Sequence, residues 1–129
     1  MSATMIRVEF GQDDLDNVMA GLSPVQIDEL PFGAIQLDAA GKVLSYNAAE
    51  SSITGRRKDA VIGRNFFQEV APCCNKPGFR GVFDAGVAAG RLNAIFDYVF
   101  DYKMNPTRVK IHMKSALNGD TYWVFVRRT

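Results

Sequence analysis

Histidine and cysteine are scarce in this chain: one of the first, His112, and two of the second, Cys73 and Cys74, side by side. A structural zinc takes four ligands, so one distant imidazole and two adjacent thiols do not make a set. Relaxed disulfides span about 4.4–6.8 Å between Cα atoms and chain neighbours lie about 3.8 Å apart, which disfavours a bond between the two thiols. A Cys-His hydrolase would need His112 beside the thiol and a third group to orient it, and the sequence supports neither contact. Long apolar runs are missing too. None approaches the roughly 20 residues that span a bilayer, and Met1 to Phe10 lacks the apolar core of a signal peptide, so the expected location is reducing cytoplasm. Net charge is only +1, which gives no global basic field for nucleic acid. Neither a metal, a membrane nor a nucleic acid is an expected partner, and no enzymatic activity is expected.

What is present is a 129-residue chain, 47% hydrophobic and 22% charged, of a size to bury one real core. Its charge is uneven. Residues 1–30 hold six acidic side chains against Arg7 alone, while residues 31–129 hold fourteen basic and eight acidic ones. An acidic element on a basic body is one reading, and two independently solvated surfaces is the other. From Asp14 to Leu22, helical spacing puts Leu15, Val18, Met19 and Leu22 on one face. Ser23-Pro24-Val25-Gln26 combines a capping box with proline at the first helical position, and Pro31 stops the helix. These two helices form an N-terminal cap, residues 1–30, ahead of a core spanning 31–129.

Gly33 to Asp38 and Lys42 to Tyr46 read as a hairpin around Ala39-Ala40-Gly41. Asn47 can cap a helix from Ala48, which puts Tyr46 at its entrance and Glu50 one turn on, on the same side. Without a cofactor, Glu50 reads as a solvated helix residue. Short helical pieces follow at Lys58 to Ile62 and Asn65 to Val70, and then a longer helix marked by Phe79, Val82, Phe83 and Val87 and closed by Gly90. From Ala94 the period is two, with Phe96, Tyr98, Phe100, Tyr102 and Met104 on one face. A basic strand around His112 and a turn at Asn118-Gly119-Asp120 lead to a last strand, Thr121 to Arg128. His112 is expected to be partly exposed among its cationic neighbours. The fold class is α+β, with about five antiparallel strands flanked by helices.

Cys73 sits behind a proline in an apolar turn, one turn after Phe66 and Phe67. Such a thiol can be a small buried hydrophobe, a nucleophile, a metal ligand or a cofactor anchor.

The order of hairpin, Tyr46-Asn47-Ala48-Ala49-Glu50, Ile53-Thr54-Gly55-Arg56, short helices, connector helix and three strands resembles a PAS sensor domain over residues 33–128. Phe32-Gly33-Ala34-Ile35-Gln36-Leu37-Asp38, Asn65-Phe66-Phe67, Val70-Ala71-Pro72-Cys73 and Tyr122-Trp123-Val124-Phe125-Val126 more closely resemble the photoactive yellow protein family. That resemblance implies a blue-light receptor with trans-4-hydroxycinnamic (p-coumaric) acid joined through a thioester to Cys73. It implies Tyr46 and Glu50 on the phenolate oxygen, Thr54 supporting Tyr46, and Arg56 over the pocket. Ile35, Phe66, Val70, Ala71, Tyr98, Phe100 and Met104 are the implied wall. It also implies a downstream signalling partner, of which a fused sensor kinase is one form. Cys74 stands where a small hydroxyl residue is expected.

Physical chemistry supports the same set. A buried phenolate is expensive without donors aimed at it, and a tyrosine hydroxyl and a protonated carboxyl are strong donors. A light-driven trans-to-cis twist that passes the Glu50 proton to the phenolate would strand a buried carboxylate and loosen the weakest packed element, the cap. A flavin sensor of this fold would need cysteine directly after Gly63-Arg64-Asn65, where Phe66 stands. A haem sensor would need a histidine from the helical side. A PAS ligand-binding or protein-interaction module without a covalent chromophore is the remaining alternative.

Overall fold

The computed structural model describes residues 9–117 and 120–129, so Met1 to Val8 and the Asn118-Gly119 part of the expected turn lie outside it. Five strands form one antiparallel sheet: β1 Gly33–Asp38, β2 Val43–Tyr46, β3 Asn93–Phe100, β4 Thr107–Ser115 and β5 Thr121–Arg128, in the order β2-β1-β5-β4-β3. Both faces are covered, and that explains the central strand. Tyr122, Val124 and Val126 of β5 enter one core, while Trp123 and Phe125 enter the other. β5 therefore reads as a continuous apolar run instead of an alternating one.

The first face carries α3 Ala48–Thr54, α4 Lys58–Val61, three short turns and α5 Val82–Ala89. The turns are π-helical at Phe66–Val70, 3-10 at Pro72–Cys74 and π-helical again at Pro77–Gly81. The expected long helix from Phe79 is thus split: Pro77 opens a separate turn, α5 begins at Val82, and Gly90, at φ 76°, ends it. The rings of Phe66, Phe67, Phe79 and Phe83 pack edge-on or tilted, with centroids 5.3–6.1 Å apart, and fill this core.

The second face lies under the cap, α1 Leu15–Ala20 and α2 Pro24–Asp28. Ser23 and Gln26 form the expected capping box. Leu15 and Met19 are buried against Phe32, Trp123 and Phe125. Each such side chain contributes roughly 1.5–3 kcal/mol by burial. Charge adds contacts between cap and body: Asp16 lies 3.5 Å from Lys114 and Asp28 3.2 Å from Lys58, and Lys114 also donates to the Asp13 carbonyl. Pairs of this kind contribute about 0–1 kcal/mol each, so apolar contact dominates.

Two expectations fail here. His112 is 2% exposed, not part of a wet basic face. Its Nε2 lies 2.9 Å from Asn93 Oδ1, and the rings of Phe10 and Phe125 flank it at 6.3 and 5.9 Å. Residue parity assigned His112 to the correct face, but parity carries no sign that the cap roofs that face. The aromatic strand also ends at Phe100, because the chain turns there and Lys103 takes a φ of 52°. Tyr102 and Met104 therefore leave the sheet and sit in a loop.

Candidate functional site

β2 ends at Tyr46, and Asn47 then starts α3. The Asn47 side chain is buried, accepts from Ala34 N at 2.9 Å and Glu50 N at 3.0 Å, and donates to Ile27 O at 2.9 Å and Phe32 O at 3.0 Å. One amide thus joins α3, β1 and the cap. Tyr46, Glu50 and Thr54 then recur at helical spacing and share one side. Thr54 Oγ1 donates to Glu50 O at 3.1 Å, and Tyr46 Oη lies 2.6 Å from the same Oγ1. Thr54 has one hydroxyl proton, so in this arrangement Tyr46 is the donor to Thr54.

Glu50 is 1% exposed, against the solvated reading that its helical position alone gave and in line with the buried pocket that the family resemblance implied, and its Oε1 is buried with no hydrogen-bond partner. Packing of α3 on β1 turns the side chain inward, a long-range effect that helical period alone does not reveal. Burial raises its pKa to about 8, with Arg56 opposing, so the carboxyl is protonated at neutral pH. Burial, and then Glu50, also hold the Tyr46 hydroxyl well above its usual range.

Asn65 shapes the other side. Its Oδ1 accepts from Phe67 N and Gln68 N, which starts the turn carrying Phe66 and Val70, and Pro72 opens the next turn with Cys73 and Cys74. Cys73 is partly exposed and Cys74 fully buried, both as free thiols with sulfurs 4.0 Å apart. The Cys74 thiol, with the backbone N–H groups of Asp101 and Tyr102, lowers the Cys73 pKa to about 6 against the effect of burial. Burial pushes Cys74 strongly the other way. Only Cys73 is set up as a thiolate near neutral pH.

These side chains converge on one cavity. Tyr46, Glu50 and Thr54 form its polar end, Phe66, Val70, Ala71, Phe100 and Met104 its apolar wall, and Cys73 and Arg56 close it. Its volume is about 10 Å³, room for one water-sized sphere. An aromatic acid would enter as the walls part, and the half-buried Arg56, Tyr102 and Met104 are their outer members. Arg56 bridges them: its Nη2 donates to Tyr102 O at 2.6 Å and its guanidinium lies 5.5 Å from the Tyr102 ring centre.

Ile35 and Tyr98 are not on this wall. Ile35 is fully buried in the core opposite Tyr46 on β2, and Tyr98 donates to the Cys73 carbonyl at 2.5 Å. Tyr102 lines the cavity and was not singled out in the sequence. Its place in the aromatic stripe was visible, but the turn that swings it over the cavity was not. Among the described residues no group of three or more His, Cys, Asp or Glu is placed to hold a metal, and no helix is long and apolar enough to cross a membrane.

Comparison with known proteins bears on this geometry. The PAS fold family matches residues 24–129. A photoactive yellow protein of Rhodothalassium salexigens is 57% identical over 96% of this chain and 99% of that protein. The chain belongs to the photoactive yellow protein family. Its counterpart from Halochromatium salexigens is 58% identical over 94% of this chain and 97% of its own. Among solved structures, the photoactive yellow protein domain from the sensor histidine kinase Ppr of Rhodospirillum centenum superposes with a TM-score of 0.83 at 50% identity. It covers 87% of this chain and 98% of that one. The family is one of PAS-fold photoreceptors.

Proposed function

We propose that this chain is a blue-light receptor that carries trans-4-hydroxycinnamic acid as a thioester on Cys73. One observation carries the reading: a reactive thiol and a buried carboxyl whose Oε1 has no hydrogen-bond partner face the same cavity, 23 residues apart in sequence. The residues suit such a group. Cys73 supplies the sulfur, the apolar wall takes an aromatic ring, and Tyr46 and Glu50 offer two donors to a phenolic oxygen at the far end. To donate into the cavity Tyr46 gives up Thr54 as acceptor, and Thr54 can then donate to Tyr46 in turn.

Light absorption and rotation about a double bond are what the bound acid supplies. Glu50 holds the transferable proton at its carboxyl in the dark. Giving up that proton to a bound phenolic group would leave Glu50 a carboxylate in a site that burial keeps neutral, at a cost of several kcal/mol. That cost is comparable with the stability of a small domain, so a weakly held element separates. The cap, taken as residues 1–30, is that element, and Asn47 ties the Glu50 helix to it through Ile27. A signalling partner of the sensor-kinase class, fused or separate, is supported by the kinase from which the solved relative comes.

Incubating the protein with activated p-coumaric acid tests this reading. One acyl group attached at Cys73, visible colour and reversible bleaching under blue light are expected. A protein that stays colourless returns the chain to the alternative of a PAS binding module, and one that bleaches without a cap response in hydrogen exchange overturns the cap as the element that responds.

A further inference from the structure

No polar group holds Glu50 Oε1 in place, so its position is set by shape. Helix α3 packs across β1 with the Glu50 side chain over Gly33. A Cβ on Gly33 would lie well inside van der Waals distance of Oε1, and 3.3 Å from both Cβ and Cδ of Glu50. Nothing else at this position requires glycine. Its φ is not positive, and it pairs in ordinary register with Val126 of β5. Glycine inside a strand weakens it by loss of packing and backbone entropy, and often marks a close approach by another group. Here the approaching group is the carboxyl.

We propose that Gly33 is a positioning residue for Glu50: the absence of a side chain on β1 lets the carboxyl lie back against the sheet and line the cavity beside Tyr46 instead of filling it. The proposal rests on Glu50 as the proton donor. The titratable groups facing that carboxyl are Tyr46 at the end of β2, Arg56 beyond α3 and Cys74 from the 3-10 turn. In a cavity of about 10 Å³, a methyl on Gly33 leaves the carboxyl no course but toward these groups and the Arg56 opening.

The test needs no chromophore. In protein labelled with carbon-13 glutamate, the Glu50 carboxyl carbon is followed by NMR against pH. Gly33→Ala should lower its midpoint by about one pH unit, a tenfold lower proton affinity, as the carboxyl moves toward Arg56. Gly33→Ala/Glu50→Asp, labelled with carbon-13 aspartate so that the carboxyl at position 50 is still read, should bring the midpoint back toward the parent, because the shorter side chain withdraws from the new methyl. Gly86→Ala is the control for packing damage alone, since its Cβ would crowd Leu92 Cβ at 2.9 Å and Cα at 3.1 Å, and neither residue lines the cavity that Glu50 does. It should lose stability and leave the Glu50 midpoint in place. A folded Gly33→Ala protein whose midpoint stays within about 0.2 unit of the parent overturns the proposal. So does a Gly86→Ala protein that shifts it equally. Should Gly33→Ala alone fail to fold, recovery of folding with Glu50→Asp supports the proposal, and persistent unfolding of the pair overturns it. If this titration pattern appears while Cys73 accepts no acyl group, the functional reading fails and the role of Gly33 stands.

Discussion

Among the described residues, the two faces of the sheet each bury one titratable side chain that leaves a polar atom without a partner, Glu50 Oε1 on one and His112 Nδ1 on the other. Burial keeps both neutral, raising the acid and lowering the base. Their surroundings differ. His112 is wedged between Phe10 and Phe125 with Asn93 on its other nitrogen. Glu50 opens onto a cavity shared with a tyrosine hydroxyl and a reactive thiol. A buried neutral group is thus not a site by itself. Neighbours that can exchange a proton or form a bond with what enters make it one.

The sharpest break between the faces is covalent. Cys73→Ala should abolish attachment of an activated p-coumaroyl group, and Cys74→Ala should keep it, with peptide mass mapping as the measurement. Because Cys74 helps to lower the Cys73 pKa to about 6, alkylation of Cys73 in Cys74→Ala should need a higher pH. Colour kept in Cys73→Ala and lost in Cys74→Ala would reverse the assignment.

The two buried groups should also bend stability in opposite directions with pH. Glu50 has a folded pKa near 8 against an ordinary 4.5. Its contribution is therefore full below pH 4.5, declines as pH rises through 8, and amounts to a few kcal/mol. Cys73, lowered from 9 to about 6, acts oppositely between those values, so the measurement belongs in a Cys73→Ala background without chromophore. There Glu50→Gln should remove the decline, as read by denaturant melts between pH 5 and 8. If the slope persists, another acid is the buried one. His112, with its folded pKa lowered, should cost stability as pH falls below its ordinary value of 6.5. Lys114 and Asp13 face it, and His112→Phe should flatten that acid limb.

Much of this contrast was legible in the residues. Asn47 before Ala48 announced the helix and brought Tyr46 and Glu50 to one side, because a helical cap and period are local properties. The Ser23 to Gln26 capping box and all five strands were legible for the same reason. The burial of His112 was not, and that of Glu50 was legible only through the family resemblance, since each depends on an element from elsewhere: the cap over β4, and α3 laid across Gly33. Tyr102 escaped for a related reason. Alternation kept it in a strand that the backbone at Lys103 had already ended.

The smallest expected effect concerns what holds the cap. Asp16 with Lys114 and Asp28 with Lys58 are ion pairs that tie acidic helices to a basic body. The Asp28 pair is about half exposed, with side chains 40% and 49% accessible, and the Asp16 pair is more sheltered at 25% and 12%. Exposed pairs give about 0.2–1 kcal/mol, whereas truncating a buried leucine costs about 2–5 kcal/mol. Leu15→Ala should therefore raise hydrogen exchange across α1 and α2 strongly at any salt. Lys114→Ala should raise it slightly, and more at low salt than at high. In the illuminated, chromophore-bearing protein the apolar contacts are already weakened, so the same pairs become a larger share of what remains. Cap exchange in the light should then rise with salt between about 0.01 and 0.15 M, where the screening length falls from about 30 to 8 Å. A light state indifferent to salt, with Leu15→Ala unchanged in its effect, would mean that apolar contact alone decides when the cap lets go.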